Sequence, residues 1–193
     1  MGAGMILTDR EIQIAIDSGA IVVDPAPSDV AYSSTSLDLT LDKTLTGFKQ
    51  ITAGLNLCID PSIKGFDHEK VLSDTTEQFE IHPDRGFEFE PGKLILAWTR
   101  EFVELKPHSR IAARVEGKSS MARLGIGVHL TAPTIHAGFS GQIRLEMVNH
   151  NTIPVKLKAG MRICQLIFEQ TVGTPVRGYK GRFAGQTATE RKG

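Results

Sequence analysis

Apolar residues change their spacing near residue 24 of this chain. Ahead of that point Ile12, Ala15 and Ile16 recur at helical intervals, Thr8 and Glu11 stand at capping-box spacing, and Gly19 supplies a stop. One short N-terminal helix is predicted. After Asp24-Pro25 the chain breaks into short β-rich runs separated by Gly, Pro, Asn and Asp, at 36–41, 87–89, 94–98, 111–115, 127–130, 142–148, 155–157 and 163–169. Many short strands with no helices between them define an all-β sandwich or barrel. Between Asn56 and Pro91, acids and turn formers with little periodicity read as long loops over the sheet, not as a second domain.

The alternation is clearest in the run at 142–148. There Ile143, Leu145 and Met147 point one way, while Gln142, Arg144, Glu146 and Val148 point the other. Glu146 is thereby set opposite the aliphatic side chains. No internal repeat is visible. The pattern places one β domain at residues 1–176 and a tail at 177–193, where Arg177, Lys180, Arg182, Arg191 and Lys192 face a single acid, Glu190, among glycines. Such a tail is expected to order on an anion.

Composition narrows the partners. Lys plus Arg and Asp plus Glu are equal at 22 each, so no global basic field is available to hold a nucleic-acid polymer. The 193 residues are enough to bury a core without disulfides or a structural metal. Cys58 and Cys164 form no CxxC pair, which fits a reducing cytoplasm and excludes a zinc knuckle. No apolar run approaches the roughly 18 residues needed to cross a bilayer, and the N-terminus lacks a basic stretch followed by an apolar one, so neither membrane nor export is expected. Met1-Gly2 fails as a myristoylation signal because Ile6 stands where Ser or Thr is required.

The densest local signal is the run from Gly117 to Gly125, which holds Lys118, Ser119, Ser120 and Arg123. It mimics the end of a phosphate-binding P-loop, but that motif needs a glycine at position 112 and finds Ala112. What remains is a Gly-led turn with backbone N–H groups, two hydroxyls and two cations, suited to an oligophosphate or to solvent. This run, followed by Val128-His129-Leu130-Thr131-Ala132 and by Gly138 to Glu146, resembles the dCTP deaminase branch of the dUTPase superfamily. The resemblance continues through Asn149, Pro154, Leu157, Gly160-Met161 and 165–169. More loosely it takes in Pro91-Gly92 and the N-terminal helix, and it leaves out the stretch around 45–85.

The resemblance implies a distorted all-β jelly roll, or β-barrel of the dUTPase type, that forms a homotrimer with sites shared between subunits and closed by the C-terminal tail. It implies that Glu146 is the general acid and base for hydrolytic deamination of dCTP to dUTP and ammonia. Ser119 is implied to hold the attacking water, and Arg123 to lie near base and phosphates. Lys118 and Ser120 are implied phosphate contacts, Ala132 lends main-chain groups to the base edge, and Tyr179, Arg182 and Gln186 belong to the closing segment. Met121, Ala122, Arg144 and Leu145, within the same blocks, complete the implied substrate contacts. Mg²⁺ is expected to arrive with the triphosphate. Asp38, in Ser36-Leu37-Asp38-Leu39, resembles the superfamily's first motif on the phosphate side. His129 is expected to be a satisfied, half-buried histidine outside the catalytic set.

One position departs from the family pattern. His136 stands where an aspartate is usual near the sugar 3′-hydroxyl, and a neutral imidazole cannot reproduce two acceptor oxygens. It is expected to be an altered sugar contact. Zinc chemistry is not expected, since the HxE and PCxxC elements of zinc-dependent cytosine deaminases are missing. The alternatives are a bifunctional enzyme releasing dUMP, a dUTPase, a non-catalytic nucleotide-binding regulator and a purely structural trimer. Product separation distinguishes the first two, and dCTP binding without ammonia release marks the regulator. A melting temperature indifferent to nucleotide marks the structural trimer.

Overall fold

The computed structural model describes residues 5–50, 58–177, 179 and 185–188. The helix expected near the N-terminus is α1 (Asp9–Asp17), capped by Thr8, whose N–H donates to Glu11 Oε2 at 3.0 Å while its hydroxyl donates to the same carboxylate. Ile12, fully buried, anchors α1 to the core, a burial that stabilises by about 1.5–3 kcal/mol. Two further helices are α2 (His68–Thr75) and α3 (Ser119–Ala122).

The strands are β1 (Met5–Ile6), β2 (Ile21–Asp24), β3 (Tyr32–Ser33), β4 (Ser36–Phe48), β5 (Thr76–Glu80), β6 (Phe87–Phe89), β7 (Leu94–Leu105), β8 (Ile111–Gly117), β9 (Ile126–Gly127), β10 (Thr134–Ile135), β11 (Ser140–Asn149), β12 (Val155–Leu157) and β13 (Arg162–Gln170). Among the described residues they form a curled antiparallel sheet in the order β10-β8-β13-β4-β7-β11-β9, with β1 on β13, β2 on β7, and β3 and β5 on β4. A small second sheet pairs β12 with β6.

The curl is made by β4, whose first half pairs with β13 through Leu37 to Thr40 and whose second half pairs with β7 and β5 through Leu45 to Gly47. Between these halves the register shifts. Glu101, 8% exposed, satisfies the bend by accepting from Thr40 N at 2.9 Å and Thr40 Oγ1 at 2.7 Å, and Asp42 Oδ1 accepts from Thr44 N at 2.8 Å. With one strand serving both layers, the leucines at 37, 39, 41 and 45 all become fully buried. The all-β expectation is met, and β6 and β12 have the expected bounds.

Three local expectations are corrected. The stretch read as loops contains α2 and β5. Asp67 caps α2 by accepting from Lys70 N at 3.0 Å, but no α2 side chain is fully buried, so the helix leaves no apolar period in the sequence. The Gly-led turn at 117 instead ends β8 and enters α3, a single helical turn pinned by Met121, 7% exposed. The strand expected at 127–130 is only β9; residues 128–130 leave the ladder. Strand β2 also lies ahead of the point where the β-rich texture was expected to begin.

Fully buried Asn149 closes the end of β11. Its Nδ2 donates to Phe89 O at 2.6 Å and Ile153 O at 3.2 Å, and its Oδ1 accepts from Asn151 N at 2.9 Å. His150 N then donates to Gly125 O at 2.7 Å, tying this turn to the segment after α3. Asn149→Ala strands the buried Phe89 carbonyl and removes the bonds to Ile153 O and Asn151 N that fix the turn. It should lower the unfolding free energy by about 2–4 kcal/mol, read as a lower urea midpoint at unchanged slope.

Candidate active site

Strand β11 alternates as expected, with Ile143, Leu145 and Met147 buried and Gln142, Arg144, Glu146 and Val148 partly exposed on the other face. Above that face lies a cleft of about 700 Å³. Its walls come from five places: Arg144 and Glu146 of β11, Leu96 and Trp98 of β7, His129 and Ala132 beyond β9, His68, Glu69 and Leu72 of α2, and Tyr179, Gln186 and Thr187 of the C-terminal segment. His136 and Phe139 complete the end nearest Tyr179.

Glu146 is half-buried, and burial pushes its carboxyl above the usual glutamate range. Its own backbone N–H and that of Leu130, with the charges of His129 and Arg144, pull the other way but do not overcome desolvation. A carboxyl on a cleft wall, with its pKa raised by burial, has the chemistry to take and return a proton. Two residues away on the same face, the Arg144 guanidinium lies over the Trp98 ring, 4.8 Å from its centroid, and donates weakly to Thr46 Oγ1 at 3.4 Å. Its Nε is buried without a hydrogen-bond partner. Burial depresses the Arg144 pKa, while Glu69 and Glu146 favour its charge.

Seven of the residues expected at the site line this one cleft: Ala132, His136, Arg144, Leu145, Glu146, Tyr179 and Gln186. The His136 ring stacks on Tyr179, with centroids 5.4 Å apart and planes 20° from parallel, and Tyr179 also meets Phe139 at 6.2 Å. Lys118, Ser119, Ser120, Met121, Ala122 and Arg123 do not line it. Met121 is buried in the core, so its side chain packs and does not face a ligand. Ser119, Ser120, Ala122 and Arg123 are exposed on α3 and just after it. Lys118 Nζ is 2.5 Å from Asp38 Oδ1, and Arg162 reaches the other oxygen of that buried carboxylate at 3.3 Å. Arg182 lies outside the described residues.

His129 is a further correction. It lines the cleft, and its Nδ1 is buried with no hydrogen-bond partner, so it is not the satisfied histidine expected. Trp98, His68, Glu69 and Leu72 were not singled out from the sequence. Trp98 is the chain's single tryptophan in an alternating strand and offered a signal; the α2 residues lie in aperiodic sequence and offered none. Among the described residues no three His, Cys, Asp or Glu side chains converge as a metal ion requires. No helix among them is long and apolar enough to cross a membrane.

A curled antiparallel sheet of this kind is a fold that solved structures share. The 2′-deoxycytidine 5′-triphosphate deaminase from Agrobacterium tumefaciens superposes with a TM-score of 0.65 at 20% identity, covering 88% of this chain and 49% of that one, so this chain spans about half its length. The family model for dCTP deaminase-like proteins matches residues 6–171, and the chain belongs to that family. It is 38% identical to a dUMP-forming dCTP deaminase of Methanosphaera stadtmanae, over 96% of this chain and 91% of that protein. It is likewise 38% identical to one of Bifidobacterium longum strain DJO10A, over 98% and 91%. A dCTP deaminase of Shewanella frigidimarina is 38% identical over 92% and 90%.

Because folding raises the Glu146 pKa, the carboxyl favours the folded state below its unfolded pKa, and that contribution is lost as pH rises through the folded value. Glu146→Gln should therefore melt no lower than the parent at pH 7 and gain less, or lose, relative to it below pH ~4. Calorimetry at the two pH values checks the sign.

Proposed function

We propose that this chain deaminates dCTP by hydrolysis, with Glu146 as the proton carrier. The observation that carries this reading is the half-buried carboxyl, raised above its ordinary range, on the wall of a nucleotide-sized cleft. Membership of the dCTP deaminase-like family and relatives named for the same activity support it. Water attacks C4 of cytosine as Glu146 takes its proton; Glu146 then protonates N3 and helps expel the amino group, so that dCTP and water yield dUTP and ammonia. Ala132 lies on the same wall, where its backbone can meet the base edge.

In this reading Ser119 and Arg123 reach the base from a neighbouring copy of the chain, in a homotrimer. Their exposure on α3, outside their own chain's cleft, is compatible with that arrangement. Lys118 and Ser120 would then meet the triphosphate, whose own oxygens and water hold Mg²⁺. Asp38 neutralises Lys118 until phosphate competes for it. The cytoplasm is the proposed setting, since neither cysteine is disulfide-bonded. By the family resemblance, dTTP would act as a feedback ligand at the same cleft.

A second reading concerns the product. Relatives from Methanosphaera, Methanopyrus and Bifidobacterium are named as dUMP-forming, which favours a pyrophosphate-releasing step after deamination. His136 in place of the usual aspartate speaks for stopping at dUTP. Incubation with dCTP and separation of dUTP, dUMP, pyrophosphate and ammonia decides between them.

Glu146→Gln should bind dCTP with near-parent affinity and deaminate it at least about a hundredfold more slowly, the scale for losing a general acid–base group. Ammonia release under saturating dCTP measures this. A rate near that of the parent would remove Glu146 from the mechanism.

A further inference from the structure

The edge of β11 opposite β7 is covered by β9 only at Val148 and Asn149. Farther toward its start, residues 185–188 lie along that edge. Gly185 N donates to Ser140 O at 2.8 Å, and Gln142 N donates to Gln186 O at 2.9 Å. Gln186 Nε2 returns a bond to Gln142 O at 3.1 Å. The Gln142 side chain adds a further link: Oε1 accepts from Ala188 N at 2.7 Å, while Nε2 is held by Thr99 O at 2.9 Å. Gln142 thus spends both backbone groups and one side of its amide on this segment, and the other side of the amide fixes the rotamer against β7.

Gly141 makes the close approach possible. A Cβ there would stand 2.9 Å from Gln186 O and 3.3 Å from Gln186 N. The docked segment then presents Gln186 and Thr187 to the cleft that holds Glu146. An unpaired strand edge is a ready template for such backbone pairing, and side-chain anchors choose which segment takes it.

We infer that Gln142 is a positioning residue for the reaction: without touching the nucleotide, it pins residues 185–188 along the open edge of β11 so that they wall the Glu146 cleft. This role rests on the deaminase reading of the cleft; the docking itself does not. All the contacts are between protein groups, so docking is measurable on the protein alone.

The test uses the full chain with Gln142→Leu, which keeps the side-chain bulk and removes both amide bonds. Ala188→Pro, which removes the N–H bonded to Gln142, and the double variant complete a cycle. Hydrogen exchange in the parent should show protected amides at Gly185 and Gln142, with protection falling about tenfold in Gln142→Leu. The same variant should raise KM for dCTP about tenfold with kcat within about twofold, as expected when binding alone is weakened. The double variant should raise KM no further than the more affected single variant, since both remove one interaction. Unprotected amides in an active parent, unchanged protection in Gln142→Leu, or KM effects that multiply in the double variant would each overturn the role. A parent that releases no ammonia, with its amides still protected, would sink the deaminase reading and the catalytic part of the role while leaving the docking in place.

Discussion

The period-two geometry of β11 is the constraint on which the rest depends. Leu145 and Met147, fully buried, hold the strand in register against the core, and that register alone fixes Glu146 on the opposite face. A slip of one residue would bury the acid among aliphatics and expose the leucine, so the energy that packs the core also aims the carboxylate. The cleft above then removes enough water to raise the acid's pKa, against its own backbone N–H, His129, Arg144 and the Leu130 N–H.

The cleft has two ends of different character. Toward α2, Trp98 and Arg144 form a flat cationic stack with Glu69 nearby; toward the C-terminal segment, His136 and Tyr179 stack and Phe139 packs beside them. The oligophosphate chemistry expected of residues 118–123 is in neither. Those residues lie at the start of α3, on it and just after it, with Lys118 drawn to the Asp38 carboxylate, 2% exposed and shared with Arg162. Glu146 and the hydroxyl and guanidinium groups of residues 119–123 thus stand on separate surfaces of the chain.

Much of this was legible residue by residue. Thr8, Glu11 and Gly19 marked α1 because capping is local chemistry, and strands such as β6, β11 and β12 declared themselves through alternation with a buried face. Helix α2 did not, because it rests on the sheet by partly exposed side chains and its cap, Asp67, looks like any loop aspartate. Residues 128–130 carry strand-like composition yet leave the ladder, and among them His129 lines the cleft and keeps a buried nitrogen without a partner. Gln142 gave no sign of its part, since its partners are Gln186, through backbone and side chain, and the Ala188 N–H, 44 and 46 residues along the chain.

Local pattern by itself therefore determined the all-β class, the acid's face on β11 and the family, because alternation, caps and ordered motifs are short-range properties of a chain. Tertiary structure decided what stands around that acid: the tryptophan under Arg144, the α2 wall, the stacking of His136 on Tyr179, and the segment pinned at Gln142. Those neighbours come from elements far apart in sequence, and their meeting depends on where β4 bends the sheet. That bend is held by Glu101 from another strand, a long-range contact that no local spacing records.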